Sequence, residues 1–153
     1  MVATGDILSL ENPLLKTYIF YTCVLVLKML AMSPMTGRMR LIKRATLNVE
    51  DAEYFKGKLR LDDDVERIRR AHQNDLENIP LFLITSGLYI LTGPSVVVAT
   101  ALFRVFTLSR GVFTLVYAIW VVPQPSRILT FACGLLVTAY MAGATLLHFV
   151  SGM

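Results

Sequence analysis

Between residues 66 and 77 the chain reads Glu66-Arg67-Ile68-Arg69-Arg70-Ala71-His72-Gln73-Asn74-Asp75-Leu76-Glu77. On a helix, Arg70, Asn74 and Glu77 are spaced by four and three residues and share a face. Arg69 and His72 flank that face, and further along Arg110, Phe113 and Tyr117 repeat the arrangement. An arginine can grip a carboxylate through two parallel hydrogen bonds, and Glu77 can take an ammonium group. Together these types suit a small zwitterionic ligand with several carboxylates. Blander readings stand beside this one. An Arg- and Glu-rich helix start also serves as a solvated face or a topology signal, and Arg67 and Arg69 fit either role. Asn74 and Glu77 fit the bland role less well, because they approach the apolar stretch. Glu77 has an alternative as a structural partner of Arg104 or Arg110, and Arg104 as a partner of Asp75 or Glu77. His72 has one as a hydrogen-bonded structural residue, and Tyr117 as an interfacial aromatic.

These side chains need elements to position them, and those elements read as membrane helices. Of 153 residues 55% are hydrophobic, and the mean hydropathy is +0.59. Apolar runs near 20 residues fit bilayer crossings better than a soluble core. The pattern predicts an all-α, integral membrane four-helix bundle in a single domain, 1–153. Its spans are placed at about 13–40, 64–92, 96–122 and 127–150, with a polar loop at about 41–63. Asn12-Pro13 reads as a cap followed by a first-turn proline. Lys28 lies deep in the first span and must face protein. Asp63 and Glu66 resemble a capping box for the second helix. That helix is apolar only from Ile79 to Leu91, a stretch of about 20 Å against a hydrocarbon core of about 30 Å. Its polar half must therefore enter the membrane region and face protein or a wet cavity. Gly93-Pro94-Ser95 and Pro123-Gln124-Pro125-Ser126 read as breaks.

The net charge is +4, and ten of the 15 Lys and Arg residues fall between Arg38 and Arg70. This distribution is a topology signal and not the footprint of a nucleic-acid binder. It predicts that the first and third connections face the cytoplasm, which brings Arg40, the Arg69–Glu77 patch, Tyr117 and Arg127 to one depth. Cys23 and Cys133 sit in apolar runs and give neither metal spacing nor a disulfide framework. Asp6 and Glu11 stand where a cleaved leader would carry basic residues, so no such leader is expected. The residues thus predict a polar, cation-rich pocket open to the cytoplasm, without naming its ligand.

The run Val65 to Asn78, with Arg-Ala-His-Gln-Asn-Asp-Leu-Glu at its centre, resembles the signature of the membrane-associated eicosanoid and glutathione metabolism family. Asn48-Val49-Glu50-Asp51 resembles that family's Asn-Pro-Glu-Asp loop, and Pro123-Gln124-Pro125-Ser126-Arg127 the opening of its fourth helix. The chain is most similar to the family's microsomal glutathione transferase branch, with the prostaglandin E synthase branch second. The resemblance implies a homotrimer in the endoplasmic reticulum membrane, with the mitochondrial outer membrane as a second location. It implies glutathione as co-substrate, bound between subunits on the cytoplasmic side. Matching contact positions are Arg40, Arg69, Arg70, His72, Asn74, Glu77 and Tyr117, and Arg127 matches the catalytic arginine near the sulfur. A free thiol titrates near about 8.5, and a neighbouring cation favours the nucleophilic thiolate. The implied activity is conjugation of glutathione to lipophilic electrophiles, with lipid hydroperoxide reduction beside it, in contact with membrane lipids. Prostaglandin E synthesis and non-enzymatic lipid binding are the alternatives. The sequence departs from the pattern at Phe113, where both branches commonly have histidine. Gln73, Ile128 and Phe131 depart from the synthase's arginine, serine and tyrosine. Ala52 stands where the transferase has a stress-sensing cysteine, so activation by thiol modification there is not expected.

Overall fold

The computed structural model describes residues 9–152, and Asp6 lies outside them. The regular structure of the described residues is helical apart from one short strand pair. Four long helices pack together: α1 (Pro13–Lys43), α3 (Asp63–Ile90), α4 (Val96–Thr114) and α5 (Ser126–Val150). α3 touches the other three, and α4 packs on both α1 and α5.

α1 starts where Asn12 Oδ1 accepts the Leu14 N–H at 2.9 Å, with Pro13 in the first position. Pro34 is carried inside the helix. α1 buries only Leu14, Leu25 and Met32, which leaves most of its apolar surface outward. α1, α4 with the turn that extends it, and α5 are each long and apolar enough to cross a membrane. The chain is therefore a membrane protein. At 28 residues, α3 is also long, about 42 Å, but its first half is charged.

The connection from α1 to α3, expected as a plain polar loop, is structured. β1 (Ala45–Thr46) pairs in parallel with β2 (Lys58–Leu59), and the short α2 (Val49–Tyr54) lies between them in sequence. α3 is capped one residue earlier than the sequence suggests. Asp62, not Asp63, has the extended backbone, and its Oδ1 accepts the Asp64 N–H at 3.1 Å. Asp63, Asp64 and Glu66 then occupy the first turn, where negative charge suits the helix dipole.

The buried stripe of α3 runs through Val65, Ile68, Ala71, Asp75, Ile79, Phe82, Ser86 and Tyr89, at spacings of three and four. It spans the charged and apolar halves alike. Phe82 stacks on Phe106 with ring centroids 3.7 Å apart and meets Phe103 edge-on at 5.9 Å, which ties α3 to α4. Asp75 lies in the same stripe, fully buried, and pairs with Lys28 of α1. Lys28 thus faces protein as its depth requires. Arg104 does not reach Asp75 or Glu77; its Nε donates to the Tyr21 hydroxyl at 3.1 Å.

α4 ends at Thr114, short of the expected Val122. Leu115–Ile119 forms a wide turn closed by Trp120 N–H to Leu115 O at 2.8 Å. Val121 follows with φ 48, a left-handed conformation that a β-branched residue holds at a cost of about 1–3 kcal/mol. The Val122 N–H reaches back to Val116 O at 2.8 Å and fixes the turn. Wide turns of this kind occur often at functional sites, and this one contains Tyr117.

Candidate functional site

The polar half of α3, the end of α4 and the first turns of α5 converge, and their centre is Arg110. Its guanidinium is fully buried. Nη1 donates to Asn74 Oδ1 at 2.9 Å and Nη2 to the Thr130 carbonyl at 3.3 Å, which joins α4 to both neighbours. Three rings face the cation: Phe113 at 5.1 Å, Phe106 at 5.8 Å and Phe131 at 5.9 Å. Such contacts strengthen when water is excluded. Gly134 lets α5 come this close, since a Cβ there would lie 3.2 Å from Arg110 Nε and Nη2. Arg110 therefore fixes the Asn74 amide, whose nitrogen is left to other partners.

One turn further out, Phe113 stacks on Tyr117 at 5.3 Å with the rings 13° from parallel. Two cations meet on Tyr117. Arg70 Nε donates to its hydroxyl at 3.3 Å, and the Arg127 guanidinium lies 4.7 Å from its ring centroid. Arg127 is half-buried, and its Nε is buried without a hydrogen-bond partner. The Tyr117 hydroxyl accepts from Arg70 and keeps its own proton to donate. The result is a chain of donors, Arg70–Tyr117–Arg127, with Asn74 beside it and no carboxylate bridging the two arginines among the described residues.

Of the residues singled out from sequence, the structure brings Arg70, Asn74, Tyr117 and Arg127 together. Arg69 instead pairs with Glu66 at 2.8 Å. Glu77 accepts from Gln73 at 3.2 Å and forms no pair with Arg104 or Arg110. Arg69, Gln73 and Glu77 are exposed along one edge of α3, and His72 is half-buried. Arg40 sits elsewhere, in a cavity of about 230 Å³ that Asp51 and Phe55 also line. Its Nε is buried without a hydrogen-bond partner. The organising role of Arg110 is not evident from the sequence. Its signal was an arginine three residues before Phe113 in an apolar run, but the residues that complete its setting, Phe131 and Gly134, lie on a different helix.

Residues 18–147 match the model of the MAPEG family. The chain belongs to the MAPEG family. It is 43% identical to bovine (Bos taurus) microsomal glutathione S-transferase 1 over 139 residues, covering 87% of this chain and 89% of that protein. It is 40% identical to the human (Homo sapiens) protein of the same name, with the same coverage. It is 39% identical to the prostaglandin E synthase of Macaca fascicularis over 137 residues, covering 88% and 90% of the two chains. The matched MAPEG segment contains every residue of the Arg70–Asn74–Arg110–Tyr117–Arg127 cluster.

Proposed function

We propose that this MAPEG protein is a glutathione transferase of the microsomal kind, conjugating the glutathione thiolate to lipophilic electrophiles and reducing lipid hydroperoxides beside that. The observation that carries this reading is the Arg70–Tyr117–Arg127 chain, in which Arg127 is half-buried with an unpartnered donor. Glutathione has two carboxylates, one ammonium and one thiol. Arg70, with Arg69 and Arg40, takes the carboxylates; Glu77 takes the ammonium; His72 and the amide of Asn74 hydrogen-bond the backbone of the tripeptide. The Tyr117 hydroxyl and Arg127 face the sulfur. A guanidinium is a cation and not a base, so Arg127 stabilises the thiolate without competing for its proton, which leaves to water. The start of α5 adds positive potential. The thiolate then attacks an electrophilic carbon, a carbon–sulfur bond forms and the leaving group departs with its electron pair.

The assembly belongs to the same proposal. α3 makes the fourth crossing, so that 1–153 is a single four-span domain in the endoplasmic reticulum membrane, with the site facing the cytoplasm. The mitochondrial outer membrane is a second location. A homotrimer accounts for the outward edge of α3: Arg69, Gln73 and Glu77 are exposed in one protomer, and polar groups that a fourth crossing carries toward the membrane need protein partners. It also explains Arg40, which lines a different cavity from Arg70 and Tyr117 and joins the site of a neighbouring subunit.

Purified protein with glutathione and a chlorodinitrobenzene acceptor tests the activity. Conjugation well above the uncatalysed rate is expected, and a folded protein that gives none sinks the proposal. The second reading, prostaglandin E synthesis, has the 39% identity to the macaque enzyme in its favour. Against it stand Ile128 and Phe131, which replace a serine and a tyrosine; Phe131 is held against Arg110. Product analysis with a prostaglandin endoperoxide separates the two.

A further inference from the structure

Far from that cluster, near the other end of α1 and α4, one charged side chain has no counter-ion among the described residues. Arg104 lies eight residues into α4, within the apolar run Val96–Phe106, and its side is exposed. No carboxylate among the described residues forms an ion pair with it; the Tyr21 hydroxyl takes one donor. Lys16 of α1 lies nearby and among the described residues pairs with Glu11, at 3.3 Å, with both side chains more than half exposed. Such a pair is weak. A cation on a lipid-facing helix requires an anion or a route to the interface.

Two cavities adjoin Arg104. One, of about 310 Å³, lies between α1 and α4, with Lys16, Phe20, Tyr21 and Arg104 on its walls. The other, of about 490 Å³, continues along α4 past Val97 and Val105. Thr100 and Arg104 belong to both. The described walls of the groove thus carry two cations, Lys16 and Arg104, next to an apolar trough. Arg104 starts about 12 Å from the head of α4, and a long side chain reaches back toward the interface from that depth. Lys16, three residues into α1, reaches the same level.

We infer that this groove is a binding site for an anionic phospholipid of the surrounding bilayer, in the leaflet opposite the candidate catalytic site. Arg104 and Lys16 bracket the headgroup phosphate, and Phe20, Val97 and Val105 receive the glycerol and the first acyl carbons. Two cations facing one phosphate favour an anionic headgroup over a zwitterionic one, whose own ammonium they repel. The groove shares no residue with the glutathione cluster, so the inference stands apart from the proposed activity.

Native mass spectrometry of the protein released from nanodiscs of equal phosphatidylserine and phosphatidylcholine tests it. The wild-type protein should retain phosphatidylserine preferentially. Lys16→Gln with Arg104→Gln should reduce that preference about tenfold, at roughly the strength of two basic residues near an anionic surface. Arg104→Lys should keep most of it, and glutathione affinity should be unchanged in both variants. Equal retention of the two lipids by the wild type, or an unchanged preference in the double variant, overturns the inference. So does efficient disulfide formation between chains carrying Arg104→Cys, because a second copy would then cover the groove.

Discussion

Arg110 and Arg127 lie on opposite sides of the Phe113–Tyr117 stack, and the protein treats them in opposite ways. Arg110 is enclosed. It has an amide, a carbonyl and three aromatic rings for neighbours, all from its own chain. Arg127 has one ring beneath it and an unpartnered Nε. A buried polar group left unpaired costs about 1–3 kcal/mol. At Arg110 the three surrounding helices meet two of the three guanidinium nitrogens and leave only Nε unpartnered, whereas among the described residues the Arg127 guanidinium donates to no hydrogen-bond partner. The first arginine is a piece of architecture. The second has capacity to spare for a ligand, which is what the proposed thiolate requires.

The largest effect should come from damage to the enclosed arginine. Arg110→Lys keeps the charge but loses the fork that serves Asn74 and Thr130, and about 3 kcal/mol of stability should go with it. A thermal unfolding scan in detergent reads this as a lower midpoint, and a midpoint equal to wild type would mean that Arg110 is no keystone. Arg127→Ala should leave that midpoint in place while the ultraviolet absorbance of bound thiolate and kcat/KM fall about thirtyfold, or roughly 2 kcal/mol. Unchanged thiolate absorbance would remove Arg127 from the mechanism. Gly134→Ala adds one methyl group against the Arg110 guanidinium and should destabilise by about 1.5 kcal/mol; a neutral result would show that the guanidinium yields without strain. Tyr117→Phe keeps the ring under Arg127 and removes the hydroxyl shared with Arg70. Its effect should be the smallest, about 1 kcal/mol in glutathione affinity by calorimetry, with stability unchanged.

Residues that act through local spacing were legible in the sequence. Asn12-Pro13 announced the start of α1, and the three-and-four rhythm of α3 put Arg70 and Asn74 on one side. The depth of Lys28 demanded a protein partner, and Asp75 is that partner. Contacts between distant segments were not legible. Arg104 had two candidate acids in the sequence and meets a tyrosine. Glu77 shares the helical rhythm of Arg70 but meets Gln73, because rhythm fixes a face only to within a broad arc. The end of α4 looked like plain helix to Val122, since no single residue type encodes a wide turn. Asp62 and Asp63 are chemically equal as caps, and only backbone direction distinguishes them.

The Lys28–Asp75 pair also bears on how the chain enters a membrane. α1 is apolar enough to insert alone but carries a lysine midway, which translocation machinery penalises by about 2.5–3.5 kcal/mol at a helix centre. α3, the proposed fourth crossing, lacks the hydropathy to insert by itself and carries the matching acid. Each helix holds the remedy for the other's defect. α1 without α3 has no Asp75 to meet Lys28. Packed against each other, the two helices bring the charges together and cancel both defects at once.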